Sequence, residues 1–209
     1  ELLLATGCTE PIAVAYCAAK LREVLGGKPE EVLAEVSGNI LKNVKSVVVP
    51  NTDGRRGIDA AIAVGIVAGD ADAELQVIAN VTEDDAAAIQ GYLDATPIKV
   101  TCPETPCLLD IFLHGKREGH TAAVRVANNH TNIIYIEKDG DILLEKPVTA
   151  NAEDNLQDKS VLNVKDILTF AETVPLSTVE PIIGRQIACN TAIAEEGLKN
   201  SWGANTGST

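Results

Sequence analysis

Residues 121–146 read TAAVRVANNHTNIIYIEKDGDILLEK, and this stretch decides the fold. Residues 121–126, 132–137 and 142–146 are short runs rich in Val, Ile, Thr and Tyr, with the residue types of half-buried strands. Between the last two runs stands Lys138-Asp139-Gly140-Asp141, which reads as a tight hairpin because Asp-Gly tolerates the positive φ that such turns need. Working back, residues 98–101 and 108–113 are of the same kind, with His114-Gly115 as a turn signal between runs. The pattern changes at Pro97. From there the sequence predicts a mostly antiparallel sheet of about four strands, an ordinary sheet size.

On the N-terminal side the period is helical. Thr9-Glu10-Pro11 is a helix start: a capping hydroxyl, a carboxylate near the positive end, and a proline where no donor is needed. Val14, Cys17, Ala18, Leu21 and Leu25 follow at helical spacing, and Gly26-Gly27 ends the run. A strand-like stretch, 32–37, leads into Gly38-Asn39. Residues 58–68 are small and apolar all round, as in a buried helix. Residues 71–80 and 82–93 are acidic, Ala-rich and amphipathic, and both read as helices, the second opening on a Thr82 cap.

On the C-terminal side, a polar linker over 151–159 precedes helical pattern at 164–173 and 177–200, and a Gly/Asn/Thr-rich tail. The order helices, sheet, helices lacks βαβ alternation, so the fold class is α+β. The expected architecture has helical N- and C-terminal segments packed together, with the antiparallel sheet inserted. Its parts are 1–95, 96–150 and 160–209.

Composition narrows the function. The chain has 209 residues, with 17 Lys and Arg against 30 Asp and Glu, a net charge of −13. That field repels phosphates, and no basic patch offsets it, so neither nucleic acid nor an anionic membrane is an expected partner. No apolar run approaches the ~20 residues needed to span a bilayer. Five cysteines at irregular spacing do not form a disulfide framework, which points to reduced thiols in a cytoplasmic protein. Met is absent even at position 1, as in a chain cut from something longer.

Cys8 lies immediately before a helix, where free N–H groups and the macrodipole stabilise an anion. A thiol there can ionise and act as base, nucleophile or ligand; a small buried residue that happens to precede a helix fits equally. Cys17, within the apolar stripe, reads as core filling. Ser37, Asn39, Lys42 and Asn43 around Gly38 offer donors to a carboxylate, although turn chemistry also explains Gly38 and Asn39. Arg55 and Arg56 stand in a turn as an anion clamp or as solvated charges. Asn190, Ala194 and Gly197 fall on one helical face, leaving room for a ligand or another backbone, while Glu195 and Glu196 point apart. Cys102 and Cys107 are half a tetrahedral metal site, but their prolines suggest a strand connection. His130 is either an acid–base group or a strand-edge histidine.

The string Gly7-Cys8-Thr9-Glu10-Pro11-Ile12-Ala13 resembles the start of the iron–sulfur L-cysteine desulfidase family, related to the α chain of iron–sulfur L-serine dehydratases. Three further strings resemble that family in the same order: Val36-Ser37-Gly38-Asn39-Ile40 with Lys42-Asn43, then His130-Thr131-Asn132-Ile133, then Asn190-Thr191-Ala192-Ile193-Ala194-Glu195-Glu196-Gly197-Leu198. The resemblance implies a lyase that removes H₂S or water, then ammonia, from L-cysteine or L-serine to leave pyruvate. It implies a [4Fe–4S] cluster as Lewis acid on the leaving group, and a thiolate base, matched by Cys8, that takes the α-proton. Ser37, Asn39, Lys42 and Asn43 would hold the substrate carboxylate or amino group, and Asn190 and Thr191 would line the opposite wall.

The family's cluster ligands lie in a later cysteine-containing segment with a D-G-A-K-x-G-C-like string. This sequence has no such string, and Cys102, Cys107 and Cys189 do not match the ligand positions. The resemblance therefore implies ligands outside these 209 residues, no metal ligand within them, and a chain that is the first half of the enzyme and inactive alone. A small amino acid is the expected partner, and a homo-oligomer is compatible with the sequence. Two other functions fit the residues: a non-catalytic amino-acid-binding or regulatory fragment with an oligomer interface on its sheet, and a hydrolase with Cys8 as nucleophile and His130 as base.

Overall fold

The computed structural model describes residues 3–148 and 159–201. The chain divides into two compact units, 3–153 and 154–209 with residues 1–2. The first holds helices α1 (Thr9–Leu25), α2 (Gly38–Val44), α3 (Gly57–Ala68) and α4 (Glu83–Ala95). It also holds strands β1 (Glu31–Val36), β2 (Ile98–Thr101), β3 (Asp110–Arg117), β4 (His120–Ala127), β5 (Ile133–Lys138) and β6 (Asp141–Glu145). The second holds α5 (Val164–Thr173) and α6 (Leu176–Lys199). The fold class is α+β with helical termini, as the pattern of the sequence implies.

The sheet has six strands in the order β2-β1-β3-β4-β5-β6. Only β1 and β2 run parallel; every other pair is antiparallel. It is therefore not confined to 96–150, since β1, from the expected helical part, lies second from the edge. Its place follows from its burial: Val32, Ala34 and Val36 are buried in alternation, and they face the same layer as Ile111, Leu113, Val124 and Val126 through the register Ala34↔Leu113↔Val124.

Helix α1 lies on that face, against β3 and β4, with α3 on its other side. Packed from both sides, it buries every residue from Pro11 to Ala19, a wider surface than the five-residue stripe of its sequence. A helix that is apolar all round must be enclosed in this way. Small residues permit the close approach: a Cβ on Gly65 of α3 would stand 2.2 Å from the Ala15 carbonyl oxygen.

Four local expectations change. Cys8, not Thr9, is the N-cap of α1, and no side chain caps it. Residues 38–44 form a helix instead of a turn, because Ser37 accepts a hydrogen bond from the Ile40 N–H. The helix expected over 71–80 shrinks to a 3-10 segment, Ala71–Gln76, broken at Glu74, where φ is 48°. His114-Gly115 is the middle of β3 instead of a turn; Gly115 is needed there because a Cβ would press on Leu21 and Pro29 at 3.1 Å. The β3–β4 turn falls at Glu118-Gly119, both with positive φ. The Asp139-Gly140 hairpin forms as read, with φ of 53° and 87°.

In the second unit, α5 begins at an Asn163 cap that accepts from the Asp166 N–H. Neither α5 nor α6 buries a residue. The stretch 149–158, with most of the expected linker, and the tail from 202 lie outside the described residues. Among the described residues no helix is long and apolar enough to cross a membrane.

Candidate functional site

Gly7, at φ 105°, turns the chain into α1 and sets Cys8 at its mouth. Glu10, in the first turn, is the hub of a polar cluster. Its Oε2 accepts from the Cys8 thiol at 3.3 Å and from the Thr9 hydroxyl at 3.2 Å. Its Oε1 accepts from Asn43 Nδ2 at 3.3 Å. Asn39 and Asn43, one helical turn apart on α2, share a face, and Asn43 Nδ2 also reaches Asn39 Oδ1 at 3.5 Å. The cluster thus joins the first turn of α1 to the exposed face of α2.

The electrostatics run against a free thiolate at Cys8. Burial pushes the thiol up, and the hydrogen bond to Glu10 and its charge push it further, outweighing the lowering from the Glu10 backbone N–H. The helix-end argument for ionisation is therefore corrected: burial, and then the carboxylate two residues on, hold the proton on the thiol. Burial also works to raise Glu10, but its own N–H, Cys8, Thr9 and the charge of His130 outweigh it and hold the carboxyl below its ordinary value. His130, between β4 and β5, is held below its ordinary value by burial, with Glu10 acting in the opposite sense. Its Nε2 is shut from solvent with no hydrogen-bond partner.

The other sequence candidates are placed differently. Ser37 is buried, at 2% exposure; its hydroxyl donates to the Leu108 carbonyl at 2.6 Å and caps α2, so its proton is engaged within the fold. With Gly38 and Asn39 it lines an open groove of about 410 Å³ bordered by the 103–108 connection. Lys42 is exposed on α2. Asn190 and Thr191 are exposed on α6 of the second unit. Arg55 donates to Gln90 and to the Thr52 carbonyl, and Arg56 to the Ser46 carbonyl; both hold their loop together. Glu195 and Glu196 lie on exposed helix surface, the first 3.7 Å from Lys199 and the second accepting from Asn200.

Beside the groove, a second cavity of about 180 Å³ contains groups that sequence reasoning missed. Asp110, 4% exposed, takes both arms of Arg125 at 2.8 and 2.6 Å and the Thr105 hydroxyl. Arg125 also lies over the Phe112 ring at 5.4 Å. One signal was available: an arginine in the middle of an apolar strand needs a buried counter-charge.

The cysteines do not converge. Cys17 donates to the Val124 carbonyl at 3.3 Å from inside the core, and Cys8 bonds to Glu10. Cys107 is buried before β3 and Cys102 exposed after β2, so the Cys102–Cys107 segment connects two strands. Among the described residues no three His, Cys, Asp or Glu side chains group as metal ligands. The residues present do not fit a [4Fe–4S] cluster, which is ordinarily held by cysteine thiolates.

The chain is similar to proteins named UPF0597 protein. The one from Treponema denticola is 47% identical over 208 residues, covering 99% of this chain and 48% of the relative. Those from Lachnoclostridium phytofermentans and Dichelobacter nodosus are 44% and 36% identical, covering 100% and 99% of this chain and 50% and 48% of theirs. The chain thus spans about half the length of the curated relatives it matches. No family model matches it, and no solved structure matches it.

Proposed function

We propose that this chain supplies the proton-handling part of a lyase acting on a small β-substituted amino acid, L-cysteine or L-serine. The observation that carries the reading is the cluster itself. Cys8 and Glu10 come from the first string of the family resemblance, Asn39 and Asn43 from the second, and His130, whose charge reaches Glu10, from the third. Cys8, Glu10, Asn39 and Asn43, far apart in sequence, share one hydrogen-bonded cluster, and proton transfer at a bound substrate needs such a convergence of polar groups.

In this reading Cys8, as thiolate, takes the α-proton of the substrate. The C–H electron pair forms the Cα–Cβ double bond as the β-substituent leaves as sulfide or hydroxide. The resulting enamine tautomerises to an imine, and water replaces its nitrogen to give pyruvate and ammonia. Asn39, Asn43 and Lys42 are assigned to the substrate carboxylate or amino group and Ser37 to capping the helix that presents them, while Asn190 and Thr191 keep the substrate-contact role that the resemblance implies. The [4Fe–4S] cluster of the resemblance belongs, in this proposal, to ligands outside this chain. The net charge of −13 argues against nucleic acid and anionic membranes. The described cysteines form no disulfide, which favours the cytoplasm.

The test is an anaerobic assay of the protein at the full length of its relatives, reconstituted with iron and sulfide, for pyruvate, ammonia and sulfide from L-cysteine and for pyruvate and ammonia from L-serine. Turnover of either amino acid, lost on Cys8→Ser with the fold intact, supports the reading. A reconstituted protein that gives no pyruvate from either overturns it, and unchanged turnover in the variant removes Cys8 as the base.

A further inference from the structure

Helices α5 and α6 lack what a helix in water ordinarily depends on. Helical stability in proteins comes mainly from packing an amphipathic face, and neither helix buries a residue. Both nevertheless carry such a face. On the helical period, Val164, Ile167, Leu168 and Phe170 of α5 fall on one side, with Lys165, Asp166, Thr169, Glu172 and Thr173 on the other. On α6, Leu176, Ile182, Ile183, Ile187, Ile193 and Leu198 share one side, with Arg185, Glu195, Glu196 and Lys199 opposite. Every one of these apolar side chains is exposed, from 40% at Ile183 to 80% at Leu176. Gln186 and Asn190 stand within the apolar side of α6, and Glu180 at its margin.

Single exposed apolar residues are normal on a protein surface, whereas a continuous stripe marks a surface that another structure covers. The first unit has its own closed core. Its sheet face turned away from α1 carries the row Glu35, Phe112, Arg125 and Tyr135, whose charged members are engaged in ion pairs with His114 and Asp110; that surface is no complement to a stripe of Ile and Leu. The relatives supply a different occupant, because about half of their length lies outside the stretch that this chain matches. A segment joined to these helices in one polypeptide acts at a millimolar effective concentration, far above the concentration at which a second copy would have to compete.

We infer that the apolar sides of α5 and α6 are the docking surface for that other half of the full-length protein. The two helices set its chemistry: an apolar surface that also presents hydrogen-bonding groups opposite Gln186 and Asn190, since an amide buried without a partner is costly. The inference stands apart from the lyase reading and would survive its failure. It also gives Asn190 a place, on a helix side that only the other half completes.

Hydrogen–deuterium exchange of the 209-residue chain and of the full-length Treponema denticola relative tests it. In the 209-residue chain at high dilution, the amides of 164–173 and 176–199 are expected to exchange at rates near those of unprotected peptide. The corresponding amides of the full-length relative are expected to exchange at least about a hundredfold more slowly. Fast exchange in both overturns the inference. So does protection already present in the 209-residue chain: independent of concentration, it would assign the cover to the first unit, and rising with concentration, to a second copy. Ile183→Gln combined with Ile187→Gln in the 209-residue chain gives an independent measurement. Changes on a face that nothing in this chain covers are expected to leave the melting temperature within about 2 °C of the parent, and a larger fall overturns the inference.

Discussion

Asn43 Nδ2 lies 3.3 Å from Glu10 Oε1, a side-chain bond that spans 33 positions of sequence. It joins the first turn of α1 to α2. Helix α2 has seven residues, too few to be stable by itself, and it stays folded through the Ser37 cap, the buried Ile40 and Val44, and this contact. The polar cluster is accordingly held by the scaffold from two sides.

Glu10 also couples the fold to pH. Its folded-state carboxyl is held below the ordinary value of 4.5, so the ionised form stabilises the folded chain. That contribution is fully present above the unfolded-state value and is lost as pH falls through the folded one. Glu10→Gln is expected to lower stability at pH 7 by about 0.5–1 kcal/mol, the range for a carboxylate in the first turn of a helix. The difference from the parent in thermal melts should shrink towards zero in acid. A loss of the same size at both ends of the pH range would assign the role of Glu10 to packing instead.

Much of the fold is legible because its signals are local. The Asp139-Gly140 turn, the Gly26 helix stop and the buried 58–68 helix each follow from a few residues with one dominant preference. What was not legible depends on partners far away. Gly115 looks like a turn until Leu21 and Pro29 are seen pressing on it, and β1 looks peripheral until it pairs with both β2 and β3. The site divides in the same way. Cys8 was visible from its position before a helix, but the direction of its ionisation depends first on its burial and then on Glu10 two residues later. For the Asp110–Arg125 pair only the arginine within an apolar strand was a signal, and its partner was not legible because it lies on a different strand.

The crossing of α1 and α3 separates the two effects of a glycine. Gly65 has no room for a methyl group against the Ala15 backbone, whereas Gly91, exposed on α4, has nothing within 4 Å. Alanine favours a helix over glycine by about 1 kcal/mol. Gly91→Ala should therefore raise stability by about 0.5–1 kcal/mol, while Gly65→Ala should lower it by about 2 kcal/mol or more, because overpacking outweighs propensity. Urea unfolding of the two variants measures both. A stabilised Gly65→Ala would mean that the helices separate at little cost.

Asp110 is nearly enclosed and takes two hydrogen bonds from Arg125 and one from Thr105. Removing one partner leaves an uncompensated charge against the 102–109 connection. Arg125→Met is expected to cost about 3 kcal/mol, and adding Asp110→Asn should recover a large part of it, because the buried charge goes with its partner. Equilibrium unfolding of the single and double variants makes the comparison. A single-variant loss under about 1 kcal/mol would rank the pair with exposed surface bridges.

Cys17 supplies a native reporter of global unfolding. Its side chain is 0% exposed, its thiol donates to the Val124 carbonyl at 3.3 Å, and burial pushes that thiol far above its ordinary ionisation. Alkylation needs both access and a thiolate, and the folded chain denies both. Iodoacetamide at pH 8 is therefore expected to leave Cys17 unlabelled in the native protein and to label it fully in concentrated urea. At intermediate urea the Cys17 labelling rate should rise with the denaturant dependence of global unfolding, since α1 lies between the sheet and α3 and has no route to solvent short of dismantling the core. A shallow dependence would show that α1 detaches in a smaller opening, and the sandwiched helix would then not be the last element to yield.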